Sequence, residues 1–181
     1  MAVQIRTFTT QYVPTEDRIR IEASDASETR VAQWLTQRLL LNMVPRLLKW
    51  LEKHTEGSAQ LSSNPEGAEL MQSFAQQAAV TELMNIHAKQ ASPKPQPPRT
   101  GTRVPEWLVQ AVDVTESSTR MTLTFRNEAS EPAAISFLQK ELRQWLSVLI
   151  RAWGQANWPS AGWPTWIKGE DMPRQNEMKL H

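Results

Sequence analysis

Two stretches of strict alternation organise the chain. Ile19, Ile21 and Ala23 alternate with Arg18, Arg20 and Glu22, and Met121, Leu123 and Phe125 alternate with Arg120, Thr122, Thr124 and Arg126. A period of two places the apolar set on one face of a strand and the polar set on the other, which predicts two half-solvated antiparallel strands. Each follows a turn. Pro14-Thr15-Glu16-Asp17 precedes the first, with proline fixing φ, and Glu116-Ser117-Ser118 precedes the second. A further strand is expected before each turn, over Val3–Thr9 and over the apolar run Trp107–Val114.

The period then changes. From about Glu28 the residues Val31, Trp34, Leu35, Leu39, Val44, Leu47, Leu48 and Leu51 recur at three- and four-residue spacing. That predicts a long amphipathic helix. Pro45 falls inside it, and its missing N–H predicts a kink near Leu41–Val44 or a second helix starting there. After Asn127–Pro132 a second helix is expected, with Ile135, Leu138, Leu142, Leu146, Leu149, Ile150 and Trp153 as its stripe. Between them, Asn64-Pro65-Glu66 reads as a helix start: N-cap, proline at the first helical position, carboxylate in the first turn. This middle helix is expected to run from Glu66 to Ala88 and to fade near His87–Lys89.

Five prolines between Ala91 and Pro105 mark a linker. The chain is thereby divided into 1–90, 91–105 and 106–181, expected to make one compact domain. Both outer parts read strand, turn, strand, polar break, long helix. Asp17–Ile21 lies over Thr119–Leu123, and with a one-residue adjustment Trp34-Leu35 lies over Phe137-Leu138, Leu39 over Leu142 and Trp50 over Trp153. The pattern implies an α+β fold: an antiparallel sheet from two ββα halves, an internal duplication being one origin, with long helices packed on one face. A lone hairpin and helix cover too little apolar surface, so the hairpins are expected to join in one four-stranded sheet.

Composition narrows the function. Twenty basic side chains face nineteen acidic ones, a net charge of +1, which gives no strong long-range field. There is no cysteine, which excludes disulfides, thiolate metal sites and cysteine nucleophiles and fits a cytoplasmic setting. Residues Met1–Thr10 lack the pattern of a secretory signal, and the apolar stretch at Leu39–Leu41 is too short to cross a bilayer. His54, His87 and His181 stand apart, with no metal-ligand spacing. The adjacent carboxylates Glu16-Asp17 and Glu170-Asp171 lie in turn-like or tail sequence. Asp113 interrupts an apolar run; it is expected on the outer face, or, if buried, against Arg120. No serine occupies a Gly-x-Ser-x-Gly elbow, and Arg99–Arg103 is not a phosphate loop. A non-enzyme without cofactor or metal is the expectation.

Two constellations remain. Arg18, Arg20, Arg120 and Arg126, if gathered on one sheet face, could neutralise phosphates of a nucleic acid, although exposed aromatics for base stacking are missing there. The tail from Asn157 to Ile167 holds Trp158, Trp163, Trp166 and Ile167 among prolines. It either folds back on its own helices or docks into a partner. The leading expectation is a protein-interaction or assembly protein, homodimeric, that uses helix faces or this tail. A nucleic-acid-binding module and a carrier of a small ligand between sheet and helices are the alternatives.

Overall fold

The computed structural model describes residues 2–55, 64–90 and 104–168. It is a mixed α+β structure in which a seven-stranded sheet curls around helices. The elements in chain order are β1 (Val3–Val13), β2 (Arg18–Asp25), β3 (Arg30–Leu35), α1 (Gln37–His54), α2 (Pro65–Gln90), β4 (Glu106–Leu108), β5 (Ala111–Glu116), β6 (Arg120–Asn127), β7 (Ser130–Leu138), α3 (Gln139–Gln155) and α4 (Thr165–Lys168).

The alternating segments are β2 and β6, and their apolar residues are fully or almost fully buried. Where a hairpin was expected in each half, three strands precede α1 and four precede α3, β4 and β5 being short and nearly continuous. The last strands, β3 and β7, take up the N-terminal ends of the stretches expected to be helical. Val31 and Leu35, four apart, fit either period, but they are also part of a two-residue alternation that continues inward from the sheet. Ala133, Ile135 and Phe137 show the same alternation in β7 and join the core. The helical period holds only beyond Thr36, whose Oγ1 accepts from the Leu39 amide at 3.2 Å. In the second half Glu141 returns its carboxylate to the Leu138 N–H at 2.8 Å. Helix α1 then runs through Pro45 as one element.

The sheet has the order β4-β3-β2-β1-β7-β6-β5. Within each half the pairs are antiparallel, whereas β1–β7 and β3–β4 are parallel, so the expected all-antiparallel sheet is corrected to a mixed one. The two ends of that order, β4 and β5, are separated in the chain only by Val109 and Gln110. The Val109 amide donates to Trp34 O and the Gln110 amide to Arg126 O, both at 2.9 Å. One continuous segment therefore leaves β3 and joins β6, and the sheet closes on itself. The parallel pairs are its two seams.

A constant spacing relates the halves. Ile19 pairs with Leu35 as Met121 pairs with Phe137. The seam pair Gln4–Ala134 corresponds in the same way to Glu106–Ala32. All seven buried positions of α1 (Leu40, Met43, Val44, Leu47, Leu48, Trp50, Leu51) have a buried counterpart in α3 at that spacing (Leu142, Trp145, Leu146, Leu149, Ile150, Ala152, Trp153). At that spacing Leu35 stands with Phe137, Leu40 with Leu142 and Leu51 with Trp153, without a one-residue adjustment. The β1–β2 and β5–β6 hairpins differ from it by a two-residue slip: Tyr12 pairs with Ile19, and Glu116, rather than Val114, pairs with Met121.

One core unites both halves. Helix α3 lies on β1 and β7, and α1 on β5, so each long helix covers the first strand of the other half. Trp50 Nε1 donates to Ser117 O at 2.9 Å across this exchange. Neither half covers its own strands alone.

Candidate interaction surfaces

Helix α2 packs on α3 the wrong way round for an amphipathic helix. Facing the body are Gln72, Gln76 and Ala79, all buried, with Leu83 half-buried. Gln76 Nε2 donates to Arg143 O and Gln144 Nε2 to Ala79 O, each at 3.1 Å. Facing away are Leu70, Phe74 and Met84, which are 57%, 56% and 59% exposed, with Met71 and Ile86 beside them. The sequence carried the signal: two glutamines four apart occupy one face, and Leu70 and Phe74 another. The charged Glu69 and Glu82 point back to the body, Glu69 accepting from the Thr165 hydroxyl and Glu82 pairing with Lys140 at 2.8 Å.

What holds α2 inward is Arg143, 3% exposed in α3. Its guanidinium donates to Thr55 Oγ1 at 2.8 Å and to Gln72 Oε1, and stacks over the Trp166 ring at 5.1 Å. No carboxylate of the described residues lies within ion-pair distance of it. Burial pushes its pKa down to about 10, partly opposed by the charge of Glu52, so it remains a cation at neutral pH. A buried charge held by neutral oxygens is costly unless every donor is used. This one joins α1, α2, α3 and α4 at a single point.

The tryptophan tail folds back on its own chain. Trp158, Trp163, Trp166 and Ile167 are all buried. Trp153 meets Trp158 and Trp163 edge-on at 5.1 and 5.4 Å, and Trp158 meets Tyr12 at 5.9 Å. The Trp158 indole and the Tyr12 hydroxyl both donate to Asp17 Oδ1, at 3.1 and 2.9 Å. Asp17 sits at the β1–β2 turn with φ of 47°, and its carboxylate holds the Tyr12 phenol above its usual pKa. A partner would meet these four residues only if the segment left its place.

The four arginines do not converge. Arg18 and Arg20 lie on β2 and Arg120 and Arg126 on β6, with β1 and β7 between them and the sheet curling away. Arg20 pairs with Glu22 at 2.7 Å and Arg126 with Asp113 at 2.8 Å, while Arg18 approaches Glu16 at 3.7 Å. Asp113 is exposed on the outer face, as expected, and its partner is Arg126. Arg20 also lies over the Trp34 ring, 5.7 Å from its centroid.

A cleft of about 500 Å³ opens at the β1–β7 seam. Its floor is Phe8, Phe137 and Trp145, with the last two rings stacked at 5.1 Å, and Val148 and Leu83 flank it. Arg6, Thr9, Ser136 and Gln144 stand around it. A second cleft, of about 470 Å³, lies beside the Arg143 network between α2 and the tail. Among the described residues no group of histidines and carboxylates could hold a metal ion, and no helix is long and apolar enough to cross a membrane. His54 caps its own helix, with Nδ1 2.9 Å from Trp50 O. The side chain of His87 and all of Glu170, Asp171, His181 and the linker residues 91–103 lie outside the described residues. Compared with protein-family models, curated proteins and solved structures, the chain matches none.

Proposed function

We propose that this chain is a non-catalytic protein-interaction or assembly protein that meets its partner through the outward face of α2. The inversion of that helix carries the reading. Large apolar side chains left in water on a helix that buries glutamines mark a surface meant to be covered. The tail is the weaker candidate, because its rings already have intramolecular partners. A photoreactive benzophenone side chain placed at position 74 tests the reading, since Phe74 is exposed and its replacement leaves the core alone. Irradiation in cells is expected to give a covalent adduct with a polypeptide. Its absence, at normal expression, would remove α2 as a contact.

A second reading rests on the seam cleft. Its size and aromatic floor suit a small apolar ligand with a polar end toward Arg6. Quenching of tryptophan fluorescence that disappears in Trp145→Phe would support it. The two halves are further proposed to be copies of one βββα unit, a reading supported by the constant spacing between them.

A further inference from the structure

The outward face of α2 is self-complementary. Its residues recur at alternating steps of four and three: Leu70, Phe74, Gln77, Thr81, Met84, Ala88, all exposed. This is the two-position seam of a heptad. Reversed about its midpoint, Leu70 faces Ala88, Phe74 faces Met84, and Gln77 faces Thr81. Apolar positions meet apolar ones, large meets small or flexible at the outer layers, and the polar pair falls at the centre, where an amide and a hydroxyl can bond. The charges agree: Glu66 lies at the N-terminal end and Lys89 at the C-terminal end, both exposed. An antiparallel partner sets the acidic end of one helix beside the basic end of the other and opposes the two macrodipoles, whereas a parallel partner stacks like on like.

We propose that the occupant of this face is α2 of a second copy, packed antiparallel about a two-fold axis that passes between Gln77 and Thr81. The inference rests on the reading of α2 as a contact and names the partner. It is also sterically open. The face that meets the body, Gln72, Gln76 and Ala79, lies opposite the seam, so the two bodies stand on the outer flanks of the helix pair. The seam from Leu70 to Ala88 is about 27 Å long at 1.5 Å per residue. Symmetry uses it twice in one isologous contact.

The absence of native cysteine makes the register testable in the full chain. Light scattering is expected to give twice the 20.7 kDa chain mass. Phe74→Lys, which puts a cation at an apolar layer, is expected to raise the dissociation constant on the order of 100-fold. Under mild oxidation Thr81→Cys alone is expected to stay uncrosslinked, and Gln77→Cys combined with Thr81→Cys to form a covalent dimer. Ready crosslinking of the single variant would overturn the antiparallel arrangement. A monomeric mass at high concentration would overturn the second copy altogether. The benzophenone at position 74 separates the two levels. An adduct of twice the chain mass supports both. An adduct with another polypeptide overturns the second copy and keeps the contact, and no adduct overturns both.

Discussion

The two parallel seams are built from corresponding strands, yet one is shut and the other gapes. At the β3–β4 seam three residue pairs run from Ala32–Glu106 to Trp34–Leu108, and the Val109 amide extends them. Arg46 of α1 then reaches across to Glu116 at 2.7 Å and to Val114 O at 3.3 Å. At the β1–β7 seam the pairs stop at Gln4–Ala134, and a bulge between Ile5 and Thr7 turns β1 away. The positions that would carry the next pairs, Ile5 with Ile135 and Arg6 with Ser136, line the cleft instead. The counterpart of Arg46 there is Val148, which cannot bond a strand carbonyl. A small number of side chains thus decides whether the same architecture yields a closed wall or a pocket.

The largest effects should come where the halves are alike. Leu40→Ala and Leu142→Ala each remove a fully buried side chain and should each cost about 2–5 kcal/mol in urea unfolding. Because the core is shared, the two should also unfold in one transition; a separate transition for one variant would mean that the halves are independent. Where the halves differ in the interior, the sign reverses. Gln33 is fully buried, neither of its side-chain polar atoms is bonded among the described residues, and its counterpart is Ile135. Gln33→Ile should stabilise the fold by about 1–3 kcal/mol, seen as a higher urea midpoint. Loss of stability would show that the amide has a partner such as a bound water.

Val148→Arg probes the open seam. The new guanidinium should occupy the cleft and weaken binding of a fluorescent apolar probe such as anilinonaphthalene sulfonate severalfold, with stability changed by less than about 1 kcal/mol. Unchanged probe binding would place the probe elsewhere. The smallest effect is expected for Arg20→Ala with Arg126→Ala. These pairs are partly or well exposed and stand on separated strands, so stability should fall by less than about 1 kcal/mol. Retention on immobilised nucleic acid should change little with salt. A steep salt slope lost in the double variant would instead favour nucleic-acid binding.

Strands β2 and β6 were legible because one face is buried and one is wet, so their alternation is clean. Strands β3 and β7 were not, since Val31 and Leu35 satisfy both periods and nothing local separates a strand end from a helix start. The parallel seams have no local signature at all; they depend on distant pairings, Ala32 with Glu106 across 74 residues and Gln4 with Ala134 across 130. Arginines 18, 20, 120 and 126 were placed correctly on outer faces, but whether two strands share a face is set by curling. The α2 surface was missed because its helix has apolar residues on both sides, which blurs the period that marks one face as buried.

The exchange of covering strands has a consequence for how the chain is made. Strand β3 has one edge that Glu106–Leu108 covers, and the partner of β1 at the other edge is β7. Both edges of the first half leave the ribosome unpaired: Ala32 waits 74 residues for Glu106, and Gln4 waits 130 for Ala134. At about 5–20 residues per second those intervals span roughly 4–26 s. Unpaired apolar strand edges are templates for wrong pairing. The nascent first half should therefore be a substrate for cotranslational chaperones, and a stop codon placed after α1 should yield aggregate rather than a folded half.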